Sequence, residues 1–327
     1  MQGLVTVFGG SGFVGTQVVR ALAKRGYRIR VAVRRPWRAY RSALMGDVGQ
    51  IEVVQANVRA PETVARALEG AEACVNAVGL LYETGRQKFQ DVHAQGARTI
   101  AEAAKAAGAA RFVQISAIGA DAHSTARYAR TKAAGEAAVR EVFADSVILR
   151  PSIVFGPDDH FFNRFAGMAV FSPALPLIGG GHTRFQPVFV GDVGKAVAAA
   201  VASPDAAGQT YELGGPGVYS FRDLMELTLK EIGRSRMLLA IPFGAAKLIG
   251  AAGDLVALSP FPIAPLLTDD QVELLRADNI VHEGALDLAD LGVQPTALEP
   301  ILPTYLYRFR KGGQYADLGA PVVEHVA

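Results

Sequence analysis

The chain has one cysteine, Cys74, and one tryptophan in 327 residues. A single thiol excludes an internal disulfide. The apolar run around it, residues 73–77, marks Cys74 as a core residue and not a reactive thiol. An excess of charge of either sign is also lacking. Thirty-three Lys and Arg against 31 Asp and Glu leave a formal net charge of +2, which gives no footing for a nucleic-acid surface. The six histidines, His93, His123, His160, His182, His282 and His325, have no metal-ligand spacing, and packing is the role expected of each. No stretch offers the ~20 apolar residues that a spanning helix needs. The nearest, 237–267, is broken by Pro242, Lys247, Asp254, Pro260, Pro262 and Pro265. Buried core is its first reading, and an interfacial or partner-binding surface the second. There is no internal repeat and no low-complexity tract. The first strand begins directly after Met1 and leaves no room for a signal or transit peptide, which points to a cytoplasmic protein or a processed chain.

Glycine, by contrast, is concentrated where it carries information. Phe8-Gly9-Gly10-Ser11-Gly12-Phe13-Val14-Gly15 follows a short apolar strand, 4–8, and opens a segment, 13–24, with apolar residues at helical spacing. Strand, glycine turn and helix form the context of a dinucleotide loop. One glycine permits a tight turn, the next a close approach to a pyrophosphate, and Gly15 the packing of helix on strand. The helix start then offers free N–H groups and the positive dipole end to phosphates.

Strand-like and helix-like segments alternate through the first half. Strands are expected at 29–33, 51–55, 73–77, 111–116 and 146–149, and helices at 61–68, 92–107 and 128–143. This alternation predicts an α/β fold, a Rossmann-type doubly wound parallel sheet with helices on both faces. After Arg150 proline and glycine become frequent. Helices are expected at 192–202, 221–232, 243–258 and 268–276, and one short strand at 210–213. The expected organisation is a dinucleotide-binding domain over 1–155, with 185–214 packing back onto it. A smaller, irregular, cleft-closing and partner-contact domain takes 156–184 and 215–310, and a tail takes 311–327.

An NAD site places an acidic residue at the end of the second strand, about 20 residues past the glycine loop. Here Arg34 and Arg35 take that place. A guanidinium binds a 2′-phosphate bidentately where a carboxylate repels it, so the expected cofactor is NADPH. Solvated surface charge is the alternative for these arginines, with Arg38 and Arg41 close by. Asn57 and Val58 follow the third strand, where a side-chain amide can meet the adenine, and Ala77, Val78 and Gly79 end the fourth, beside the cofactor ribose. A turn role serves either segment equally well. Ile115 and Ser116 end the fifth strand, and Pro151 and Ile153 follow the sixth; all four are placed along the same groove.

Tyr128 and Lys132 form a Tyr-x-x-x-Lys pair on one helix face. Such a lysine lowers the phenol pKa and holds the nicotinamide ribose, and the tyrosine then serves hydride chemistry as acid or base. Asp158-Asp159 reads as a solvated turn or partner contact and not as an acid–base pair.

Together these features resemble the short-chain dehydrogenase superfamily in its extended or atypical branch. Catalytic members carry a serine near the end of the fifth strand. Here Ala117 stands at that position, while Ser116 is one residue early and, by strand alternation, faces the other way. The loss of a hydroxyl donor there costs such enzymes ~10²-fold or more. The resemblance narrows with Tyr128-Ala129-Arg130-Thr131-Lys132-Ala133-Ala134-Gly135-Glu136, Arg150-Pro151-Ser152, Gln186-Pro187-Val188-Phe189-Val190, Leu258-Ser259-Pro260-Phe261, Thr268-Asp269-Asp270-Gln271-Val272 and Tyr307-Arg308. This succession is similar to the NADPH-binding accessory subunit of respiratory complex I, over residues 4 to about 310. The resemblance implies a non-catalytic subunit with a tightly held NADPH and with Tyr128 and Lys132 vestigial. It implies docking on quinone-module and membrane-arm subunits near the quinone site, peripheral to the cytoplasmic side of the bacterial inner membrane. A free NADP-dependent reductase or epimerase using Tyr128 and Lys132 is the alternative.

Overall fold

Strand β1 (Gln2–Phe8) runs into the glycine turn and out into helix α1 (Phe13–Lys24). The structure is a computed structural model and describes residues 2–85, 87–257, 265, 267–313 and 315. Five further strands follow in register with the expected alternation: β2 (Tyr27–Val33), β3 (Ile51–Gln55), β4 (Ala73–Asn76), β5 (Arg111–Ile115) and β6 (Val147–Pro151). Between them lie α2 (Tyr40–Ala43), α3 (Pro61–Leu68), α4 (Gly96–Ala106) and α5 (Arg127–Val142). The second half adds β7 (Val154–Phe155), α6 (Phe162–Phe171), β8 (Ala174–Ile178), β9 (Arg184–Phe185), β10 (Val188–Phe189) and α7 (Val190–Ala202). It continues with β11 (Thr210–Leu213), β12 (Tyr219–Ser220), α8 (Phe221–Glu231), β13 (Met237–Ile241), α9 (Phe243–Ala257), α10 (Asp269–Leu274) and α11 (Pro303–Leu306).

Seven strands form one parallel sheet in the order β11-β6-β5-β4-β1-β2-β3. The order reverses between β1 and β4, whose last residues Phe8 and Asn76 are direct partners. A crevice therefore opens beyond the carboxyl ends of these two strands, where doubly wound sheets bind ligands. Alternation along each strand feeds two cores. Val5 and Val7 meet α1 and α7 on one face, while Phe8 joins Leu68, Ile100, Phe112 and Val139 on the other. Cys74 is fully buried in that second core. A third core, built on Phe162, Leu175, Leu177, Phe221 and Leu302, holds the second half together.

The differences from the sequence reading have physical causes. Residues 92–107 are not one helix. The turn Gln90–Gln95 is a π-helix and α4 starts at Gly96. Gly135 of α5 approaches that turn so closely that a Cβ on it would collide with the His93 carbonyl. The segment holding Pro173 and Pro176 contains strand β8, paired in parallel with β13. A two-stranded pair leaves both outer edges open, where the missing N–H of Pro176 breaks no ladder. Residues 237–257 are only partly core: Met237, Leu239, Leu248, Ile249 and Val256 are exposed, while Ala246 is buried. Residues 258–264, 266 and 316–327, which hold the Leu258-Ser259-Pro260-Phe261 motif and most of the tail, lie outside the described residues.

Asp159 is not a solvated turn residue. It is 3% exposed, and its carboxylate accepts the N–H groups of Gly156, Phe161 and Asn163 and the Tyr305 hydroxyl. It is thus a buried organising acid that ties the turn after β7 to α11. Burial raises its pKa, and each of those four donors opposes the rise. Asp158 beside it is exposed, as expected.

Candidate functional site

The groove begins at the glycine turn. Gly9 has φ 78°, in the left-handed region that favours glycine, and a Cβ there would lie 2.9 Å from the Ala77 carbonyl oxygen. The turns after β1 and β4 therefore touch. A Cβ on Gly15 would collide with the Gly9 carbonyl, so only glycine lets α1 start this close to the turn. Helix α1 has no side-chain cap and no acidic residue in its first turn. Its first N–H groups have no intrahelical partner and face the crevice as an anion site.

Arg34 directly follows β2, and Arg35, Arg38 and Arg59 surround it. Partial burial, then the charges of Arg35, Arg59 and Arg38, lower the Arg34 pKa. Four guanidinium groups drawn together repel one another, and a bound polyanion would relieve that repulsion. Asn57 is committed to a turn: its Oδ1 accepts the Arg59 N–H at 3.2 Å. Val58 is buried and packs against Gly96.

At the other end of the groove stands Tyr128, near the start of α5. Its ring meets Phe89 edge-on at 5.8 Å and His93 at 5.4 Å. Lys132 Nζ lies 5.8 Å from the ring centroid and donates to the Ile115 carbonyl at 3.2 Å. Burial pushes the Lys132 pKa down to about 8, against the opposing charge of Glu136. Burial and then the charge of Asp270 push the Tyr128 phenol up to about 12. An active tyrosine of this motif needs its pKa moved the other way.

Asp270 explains part of that shift. Its carboxylate accepts the N–H of Arg127 at 2.5 Å and of Tyr128 at 2.9 Å. Helix α5 has no side-chain cap of its own at Ala126, so an acid from α10 caps it across a sequence separation of 142 residues. Thr268 and Gln271 form a capping box that holds α10 in place. Spacing within the first half carries no sign of this contact; the Thr268-Asp269-Asp270-Gln271 motif is its only trace.

His93 is another buried, hydrogen-bonded side chain that spacing misses. It is 3% exposed. Its Nε2 accepts the Leu80 N–H at 2.9 Å, so Nδ1 carries the proton and donates to Thr131 Oγ1 at 3.1 Å. Thr131 in turn donates to the Tyr128 carbonyl at 3.0 Å. Burial, then the nearby Lys132 charge, push the His93 pKa down to about 3, so the ring is neutral.

The remaining expected residues stand at or just after the carboxyl ends of β4, β5 and β6. Ala77, Val78 and Gly79 follow β4, and a Cβ on Gly79 would lie 3.6 Å from Lys132 Nζ. Ile115 offers its carbonyl to Lys132. Ser116 Oγ is buried without a hydrogen-bond partner among the described residues. Pro151 is buried at the end of β6. The Ile153 N–H is engaged by Asn279 Oδ1 at 3.1 Å. Beside α5 a cavity of ≈ 220 Å³ is lined by Tyr82, Phe89, Arg127 and Asp270 among others, smaller than usual ligand pockets. Among the described residues no cluster of His, Cys, Asp or Glu is placed to hold a metal ion.

Residues 5–214 match the model of the NAD dependent epimerase/dehydratase family. Over its whole length the chain is 35% identical to NADH dehydrogenase [ubiquinone] 1 alpha subcomplex subunit 9 of Arabidopsis thaliana, covering 82% of that protein. It is 37% identical to the subunit of that name from Rattus norvegicus, over 90% of this chain and 78% of the relative. The chain belongs to the alpha subcomplex subunit 9 family. Among solved structures, an NADPH-dependent quinone oxidoreductase from Escherichia coli with NADPH bound superposes with a TM-score of 0.70. At 20% identity, over 92% of this chain and 98% of that one, the likeness is one of fold. Within the subunit 9 family frame, the epimerase-type match ends near β11, and the cap on Tyr128's helix comes from beyond it.

Proposed function

We propose that this chain is an accessory subunit of respiratory complex I that binds NADPH as a structural cofactor. Membership of the subunit 9 family supports the assembly, since the relatives are named as parts of NADH dehydrogenase. The residues present fit the cofactor. The glycine turn and the α1 start would take the pyrophosphate, Arg34 and Arg35 the 2′-phosphate, and Lys132 and Tyr128 the nicotinamide ribose. NADPH would bring a transferable hydride to this end of the groove.

The observation that carries the structural role is the fork of Asp270 on α5. It places a carboxylate at the end of the helix that presents Tyr128 and opposes formation of a phenolate. Tyr128 then holds its proton at neutral pH and serves as a hydrogen-bond donor, while Lys132 anchors a ribose. A ligand bound to the folded state alone stabilises it by mass action without any turnover. No described helix is long and apolar enough to cross a membrane. The exposed apolar residues of β13 and α9 (Met237, Leu239, Leu248 and Ile249) instead give a surface for quinone-module or membrane-arm subunits and the adjoining lipid, peripheral to the membrane.

The test is to isolate the assembly from respiring membranes through a tag on this chain. The expected result is co-purification of quinone-module and membrane-arm subunits, with bound NADPH still reduced after NADH and quinone are supplied. Recovery of the chain alone from membranes with intact complex, or oxidation of its bound NADPH, would overturn the reading.

A further inference from the structure

The π-helical turn Gln90–Gln95 carries one histidine, and that side chain joins two walls of the groove. Loop 77–80 runs between the glycine turn and Lys132. One end touches Gly9, whose Cβ position lies 2.9 Å from the Ala77 carbonyl. The other end passes Gly79, where a Cβ would lie 3.6 Å from Lys132 Nζ and 3.9 Å from His93 Nε2. A dinucleotide with its pyrophosphate on α1 and its ribose on Lys132 has to follow this loop over its nicotinamide half. The position of the loop thus sets the width of that half alone.

We infer that His93 is a positioning residue that holds loop 77–80 against α5 and so shapes the nicotinamide half of the groove. Its two ring nitrogens do different jobs. Nε2 takes the Leu80 backbone N–H, and Nδ1–H goes to Thr131, one residue from Lys132. Thr131 passes the constraint to the Tyr128 carbonyl. The ring is also packed by two aromatic neighbours, stacked on Phe89 at 5.2 Å and perpendicular to Tyr128 at 5.4 Å. The widened turn matters here. A π-turn inserts an extra residue into the helical path and is frequent at functional sites. In this one the His93 carbonyl sits against Gly135 of α5 while its ring reaches across to Leu80. The arginine end of the groove, built on β2 and the segment after β3, shares none of these contacts.

This inference rests on the NADPH reading, and its test separates the two. The measurement compares NADPH with adenosine 2′,5′-bisphosphate, which carries the phosphate-bearing half and no nicotinamide. His93→Asn keeps an amide that reaches Thr131 but is too short for Leu80. His93→Gln reaches Leu80 with an acceptor oxygen. The expected result is that His93→Asn weakens NADPH binding about tenfold, the worth of one lost hydrogen bond and a loosened wall. Binding of the bisphosphate stays within about twofold, and His93→Gln restores NADPH affinity to within about threefold. Equal losses for both ligands mean general damage to the fold and overturn the inference, as does an unchanged NADPH affinity. If His93→Asn fails to fold, Thr131→Val releases the other end of the clamp and is judged by the same pair of ligands. Failure of the unaltered protein to bind either ligand would sink the NADPH reading itself, not the clamp.

Discussion

Lys132 should leave a pH signature in the stability of the cofactor-free protein. It is 7% exposed and its pKa falls from 10.5 to about 8 on folding, through burial. Glu136, the nearby acid, is already held by Arg150 through two hydrogen bonds of 2.9 and 2.6 Å, so it compensates Lys132 only in part. The sign follows from proton counting. Between about pH 8 and 10.5 the unfolded chain binds more protons at this site than the folded one, so stability rises with pH. Below about pH 8 the lysine is charged in both states and the full penalty applies. That penalty is on the order of 3 kcal/mol, because a pKa difference of one costs about 1.36 kcal/mol. Between about pH 7.5 and 9.5, roughly 2 kcal/mol of it should disappear. Lys132→Met keeps most of the stem and removes the charge. The Ile115 carbonyl it leaves still accepts from Gln114 Nε2 at 3.2 Å. The assay is urea unfolding of both proteins at half-unit steps of pH. Other lysines and the tyrosines cancel in the difference between the two. The variant should be the more stable protein at about pH 7.5, with its advantage shrinking by about 2 kcal/mol by about pH 9.5. A difference that is flat across this range would refute the account of Lys132 as a buried charge.

Three further outcomes follow from named contacts. Asp270→Ala removes the cap on α5 and leaves the Arg127 and Tyr128 N–H groups without a partner, which should cost about 2 kcal/mol. It should also speed hydrogen exchange at those two amides, and unchanged exchange would remove Asp270 as the cap. Gly15→Ala puts a methyl group into the Gly9 carbonyl and should destabilise the protein by about 1–3 kcal/mol of overpacking. Urea midpoints check this, and a midpoint equal to the parent's would show that α1 can move off the turn. Burial pushes the Cys74 thiol far above its ordinary pKa, so an aromatic disulfide reagent should label it only as fast as the protein unfolds; rapid labelling of the native state would contradict its place in the core.

Local signals are legible in the sequence and distant ones are not. The β1–turn–α1 unit reads directly because its glycines, strand and helix are contiguous, and Gly9 and Gly15 have the steric roles that the pattern demands. The Tyr128–Lys132 pair reads from four-residue spacing alone. Strand β8 is hidden because Pro176 argues against a strand until its open edge is known. Asp159 is easily misread because two adjacent acids look solvated, and only the fold brings Tyr305 to them from 146 positions away. His93 offers no spacing at all, since its partners are a backbone amide 13 residues back and a threonine 38 residues on.

The same distance explains why a motif of this kind cannot be read as an activity. Tyr128 and Lys132 keep the geometry of one helix face, but their surroundings shift the two groups differently. The phenol is raised by burial and by an acid delivered from α10. The lysine, on α5, donates to the Ile115 carbonyl at the end of β5. Ala117 supplies no hydroxyl at the place where catalytic relatives by resemblance carry one. On the function proposed above, the binding half of the site and its acid–base half are separable, because binding would depend on the glycine turn, Arg34 and the loop at Gly79, and proton transfer would depend on the environment of one phenol.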